Sequence, residues 1–152
     1  MRMHARIIGL GQAAAGDDGV GLAVVEWLQA HGVPPDIEVL RAPEDSALVH
    51  LLETSVPVVL VDAVLQQPTG EVLELTPEEL ARRQLLPITT HGMGVGQAIE
   101  LARLLAPDHV SPAIGIVAVS IARPRRYRQH LSARVAAAVP YAAERALKLA
   151  GA

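Results

Sequence analysis

The sequence predicts an α/β fold: a three-layer α/β/α arrangement around a twisted, mostly parallel sheet, with room for one antiparallel edge strand. Three observations carry this expectation. Short, wholly apolar runs such as Ile7-Ile8 and Val58-Val59-Leu60-Val61 suit strands buried on both faces. These runs alternate along the chain with segments of helical periodicity, as crossover connections in a parallel sheet require. One run, Glu71-Val72-Leu73-Glu74-Leu75, alternates with period two instead, which fits a strand with one wetter face at a sheet edge. With 152 residues the chain is long enough for one domain, 1–152, to bury a core without metal or disulfide staples.

In chain order, residues 5–10 form the first strand. Val20, Ala23, Val24, Trp27 and Leu28 then recur at helical spacing up to His31-Gly32, where glycine and Pro34-Pro35 stop the helix. Residues 37–40 read as a second strand and 46–52 as a short helix. The run 57–61 is the most pronounced buried-strand pattern, and Asp62 ends it with a charge. Pro68-Thr69-Gly70 marks a turn before the alternating strand. Thr76-Pro77-Glu78-Glu79 is a capping box with proline at the first helical position. A loop carrying His91 leads into a helix over 95–105, followed by a buried strand over 114–119. The last helix spans 132–149 and contains Pro140, which cannot donate to the helical ladder and predicts a kink or break.

Composition excludes several functions. The absence of cysteine removes disulfides, zinc-thiolate sites and thiol nucleophiles, and leaves a reducing cytoplasm as the expected compartment. A formal net charge of −3, with only Trp27, Tyr127 and Tyr141 as aromatics, offers neither a general electrostatic case for nucleic acid nor a base-stacking platform. No run reaches the roughly 18 apolar residues of a membrane span, and no apolar signal region precedes the first strand, so no membrane partner is expected. The serines lack a Gly-x-Ser-x-Gly context, which argues against a serine-triad protease.

The stretch 9–21 concentrates unusual chemistry: five glycines in thirteen residues, with Asp17 and Asp18 adjacent. Gly9-x-Gly11-x-x-Ala14 matches a loose dinucleotide fingerprint. The helical pattern begins too late for that reading, however, and two carboxylates at a helix N-terminus repel phosphate and suit a cation. Sites in such sheets lie at the carboxyl ends of strands near the topological switch point. If the first and third strands are neighbours, as in the order 2-1-3, a strand spacing of about 4.8 Å brings Asp18 and Asp62 to one crevice. Two carboxylates about 5 Å apart repel by roughly 3 kcal/mol at an effective dielectric near 20, which a bound cation or a shared proton relieves.

Four motifs in order resemble the hydrogenase maturation proteases, the endopeptidases that trim the large subunit of nickel-iron hydrogenases. They are Gly9-x-Gly11 with Gly16-Asp17-Asp18-Gly19-x-Gly21; Val58-Val59-Leu60-Val61-Asp62-Ala63; Gly70-Glu71-Val72; and Thr89-Thr90-His91-Gly92-Met93. Arg41-Ala42-Pro43-Glu44-Asp45 is similar to an Ala-Pro-Glu-Asn segment of one branch. Gln12 departs from the asparagine usual in the family, and Arg41 replaces a residue that is often small or acidic. The resemblance implies an endopeptidase that removes a C-terminal peptide from the nickel-loaded precursor of a hydrogenase large subunit. Asp18, Asp62 and His91 would be its metal-binding and catalytic residues, acting through nickel supplied by the substrate. Their mixed oxygen and nitrogen donors suit nickel, with cadmium or zinc as substitutes. A monomer is expected.

Each residue also has a bland role: Asp17 and Asp18 as helix caps, Asp62 as a strand-end residue bonding a neighbouring amide, His91 as structural or exposed. Asp17 is the nearest candidate for a separate general base, although capping suits it better. Two other functions stay open: a non-cleaving nickel-sensing chaperone or checkpoint for the same precursor, and an NADP-binding protein using the glycines and Arg41. His4, His31, His50, His109 and His130 read as surface or helix-end residues. Arg123, Arg125, Arg126 and Arg128 form a local basic cluster, either a solvated loop or a dock for an acidic partner.

Overall fold

The computed structural model describes residues 2–11, 13–83, 94–123 and 130–152. Its strands are β1 (Ala5–Leu10), β2 (Ile37–Ala42), β3 (Val58–Leu65), β4 (Val72–Leu75) and β5 (Ile114–Ile121). Its α-helices are α1 (Val20–His31), α2 (Asp45–Leu51), α3 (Pro77–Arg83), α4 (Val95–Leu105) and α5 (Ala133–Leu149), and a 3-10 helix, Ala13–Gly19, precedes α1. The sheet order is β2-β1-β3-β5-β4. β1 pairs in parallel with β2 and β3, β3 pairs in parallel with β5, and only the edge strand β4 runs antiparallel, against β5. The expected 2-1-3 neighbourhood and the antiparallel edge are therefore both present.

Alternation along the strands builds two cores. Ile7, Val59, Val61, Val117 and Val119 face α1 and α5, packing against Val20, Val24, Leu28, Val135, Ala142 and Ala146. Ile8, Leu60, Val64 and Ile116 face the other way, against Leu48 and Val49 of α2 and Ala98, Ile99 and Ala102 of α4. The sheet is thus covered on both faces, the condition under which strands read as continuous apolar runs. At the edge, the capping box forms as expected: the Glu79 amide donates to Thr76 Oγ1 at 3.0 Å and the Thr76 amide to Glu79 Oε1 at 3.3 Å.

Three local expectations need correction. Asp62 does not end β3, which continues to Leu65; its ladder with β5 extends from Val58↔Ile114 to Leu65↔Ile121, whereas the ladder with β1 stops at Gly9↔Val61. Of the kink or break expected at Pro140, the break does not occur: α5 runs through it as one helix. A proline inside a helix costs about 3 kcal/mol. That cost is offset by burial of Val135, Ala138, Val139, Ala142, Ala143 and Ala146, of which the two valines contribute about 1.5 to 3 kcal/mol each. Finally, the turn bearing Asp17 and Asp18 is itself helical, a 3-10 run leading directly into α1.

Candidate metal-binding site

Asp62 is the first residue of β3 beyond the ladder with β1, because β1 leaves the sheet after Leu10 while β3 stays paired with β5, Asp62 opposite Ala118. A carboxylate so placed stands at the carboxyl end of β1, between strands whose connections run to opposite sides. It is half-buried, and its Oδ1 accepts the Ala63 amide at 2.8 Å, the neighbouring-amide contact expected of a strand residue. By strand parity it lies on the same face as Leu60 and Val64, the face covered by α2 and α4.

Glycines bring the Asp18 turn to this place. Gly21, in the first turn of α1, lies so close to the sheet that a Cβ there would overlap the carbonyl oxygens of both Leu10 and Val61. Across the same contact, a Cβ on Gly9 would overlap the Gly21 carbonyl oxygen. The start of α1 is thereby seated on the ends of β1 and β3, one residue from Asp62 and three from Asp18. Gly11 has φ +123, which side-chain-bearing residues rarely adopt, and a Cβ there would overlap the Asp18 carbonyl oxygen. Asp18 itself is buried, 8% exposed. The glycines of the dinucleotide-like pattern are therefore filled by the chain's own backbone, which leaves no close approach for a pyrophosphate. Arg41, the residue an NADP reading needs, points to α1 instead, at 3.7 Å from Glu26 Oε1 and 3.4 Å from Gln29 Oε1.

Asp17 has a different role from its neighbour. Its Oδ1 accepts the Ser132 backbone N–H at 2.6 Å, and its Oδ2 accepts the Ser132 hydroxyl at 2.8 Å. It does not cap the helix that follows it but holds the N-cap residue of α5. This partnership was missed from the sequence. Serine just before a helical run signals a cap, but nothing local identifies a partner 115 positions away.

His91 lies outside the described residues, as do Gln12, the rest of the Thr89-Thr90-His91-Gly92-Met93 motif, and Arg125, Arg126 and Arg128. The described chain resumes at Gly94, whose amide donates to Gln97 Oε1 at 3.2 Å as α4 begins. Among the described residues, no group of three or more His, Asp or Glu side chains forms a metal cluster. Arg123 is exposed, as are His4, His31, His50, His109 and His130. Two serines prove structural: buried Ser120 donates to Pro68 O at 2.7 Å and buried Ser111 to Val56 O at 2.7 Å. Among the described residues no helix is long and apolar enough to cross a membrane.

Comparison with known proteins agrees with this architecture. Residues 22–149 match the family model described as hydrogenase maturation protease; the match includes Asp62 and His91 and begins just after the glycine-rich stretch. Among solved structures, the hydrogenase maturating endopeptidase HybD from E. coli is 20% identical, with a TM-score of 0.78 over 96% of this chain and 91% of that one. The [NiFe] hydrogenase maturation protease HybD from Thermococcus kodakarensis is 26% identical, with a TM-score of 0.75 over 97% of this chain and 99% of that one. HycI, a [NiFe] hydrogenase maturation protease from Thermococcus kodakarensis KOD1, is 18% identical with a TM-score of 0.70, covering 99% and 94%. No curated protein sequence matches the chain. With the matched segment covering most of its length, the chain belongs to the hydrogenase maturation proteases, a family of endopeptidases.

Proposed function

We propose that this endopeptidase removes a C-terminal peptide from the nickel-loaded precursor of a nickel-iron hydrogenase large subunit in the cytoplasm, acting as a monomer. Asp18, Asp62 and His91 hold the nickel, which arrives as part of the substrate. The observation that carries this reading is the seating of Gly21 on Val61, which brings the Asp18 turn to the point where Asp62 emerges from the β1 ladder. Two carboxylates and one imidazole form a donor set suited to nickel, and cadmium or zinc can take its place. A divalent ion held there supplies Lewis-acid polarisation of a carbonyl or of water. The chain's own part is to orient the carboxylates and to fix the precursor's C-terminal segment against the crevice.

Incubation of the protein with nickel-loaded and nickel-free precursor, followed by mass spectrometry, tests the proposal. Release of a C-terminal peptide from the loaded form alone is the expected result. Equal release from both forms would refute metal-directed cleavage. A stable complex with the loaded precursor and no cleavage would instead establish the non-cleaving chaperone or checkpoint, since the same ligands would serve that role.

A further inference from the structure

We propose that Asp17 is a positioning residue, whose carboxylate clamps the 3-10 turn to the N-terminus of α5 and so fixes the orientation in which Asp18 meets the crevice. The proposal rests on the reading of Asp18 as a metal ligand. A 3-10 run is poorly bonded and seldom exceeds three or four residues, yet this one spans seven, Ala13–Gly19. Its geometry must therefore be maintained from outside. On one side, Gly11 lies against the Asp18 carbonyl. On the other, both Asp17 oxygens accept from Ser132, at 2.6 and 2.8 Å.

The cost of this arrangement is visible in α5. Ser132 occupies its N-cap position, but the serine side chain makes no capping hydrogen bond to the helix. Its hydroxyl is spent on Asp17, and the Asp17 carboxylate sits instead at the positive end of the helix dipole. Successive residues of a 3-10 helix point about 120° apart. With Asp17 committed to the α5 layer, its neighbour Asp18 is turned to a different side, and the direction of one carboxylate sets that of the other. Groups that orient metal ligands in this way change affinity by about 10- to 100-fold when removed.

Cadmium titration by calorimetry, with urea unfolding of each variant alongside, separates positioning from mere stability. Asp17→Ala, measured at a temperature where it is fully folded, is expected to bind cadmium at least about tenfold more weakly than wild type. Ser132→Ala, which keeps the backbone contact, is expected to fall between the two and serves if Asp17→Ala does not fold. Asp17→Asn keeps an oxygen for the Ser132 amide and an NH2 group for its hydroxyl, so it should recover most of the affinity and still cleave the precursor. Folded Asp17→Ala and Ser132→Ala with wild-type cadmium affinity would overturn the proposal alone. Asp17→Asn with wild-type affinity but no cleavage would overturn it in favour of a general base. Absence of cadmium binding by the wild type would overturn the metal-ligand reading and this proposal with it.

Discussion

If Asp62 is a metal ligand as proposed, replacing it with alanine is expected to reduce peptide release from the nickel-loaded precursor by at least about a hundredfold, because a direct ligand matters more than the groups that orient it. The same change should alter unfolding free energy by only about 1 kcal/mol. Asp62 is half-buried where the β1–β3 ladder ends, and its carboxylate accepts the adjacent Ala63 amide, a local contact at the sheet's end rather than part of either apolar core. By contrast, Leu60 on the same face of β3 is fully buried, and truncating such a residue costs about 2 to 5 kcal/mol. Urea unfolding and a cleavage time course on the same preparation check both halves. Loss of activity accompanied by a core-sized loss of stability would show that Asp62 supports the fold rather than the chemistry.

Gly21→Ala is expected to destabilise the protein by about 1 to 3 kcal/mol although it adds a single methyl group. The new carbon would overlap the carbonyl oxygens of Leu10 and Val61, which are fixed in the sheet, so α1 must lift. Because α1 continues from the Asp18 turn, cadmium affinity should fall as well. Gly96→Ala in α4 is the matched control: among the described residues, no atom beyond its chain neighbours and the helix's own backbone lies within 4 Å of the added carbon, and alanine is the better helix former by about 1 kcal/mol. Equal stabilities for the two variants in urea unfolding would show that the close approach of α1 to β3 is not a constraint.

Much of this fold was legible because each layer follows a local pattern. The bounds of β1 and α4, the end of α1 at His31, the capping box at Thr76 and the edge position of β4 all follow from periodicity, caps and turn residues within a few positions. The misread features depend on distant neighbours. β3 extends past Asp62 because β5 remains beside it after β1 has turned away. α5 tolerates Pro140 because its apolar stripe is buried against α1 and the sheet. The sequence argued against a phosphate cradle in the 9–21 stretch through its two carboxylates, but only the packed structure shows what the glycines do instead, with Gly9, Gly11 and Gly21 closing on the chain's own carbonyls. At the site, strand order was enough to bring Asp18 and Asp62 to the same end of the sheet. The Asp17 bond to Ser132 was hidden, since an acceptor carboxylate and a donor serine carry no information in sequence about partners across the fold.

A crystal structure of the protein with cadmium most directly tests whether the ends of β1 and β3 build a metal site. The expected result is one ion bonded to the Asp18 and Asp62 carboxylates and the His91 imidazole at roughly 2.0 to 2.4 Å, with water completing the shell. An ion bound elsewhere, or side chains of Asp18, Asp62 and His91 more than about 8 Å apart and so unable to share one ion, would contradict it.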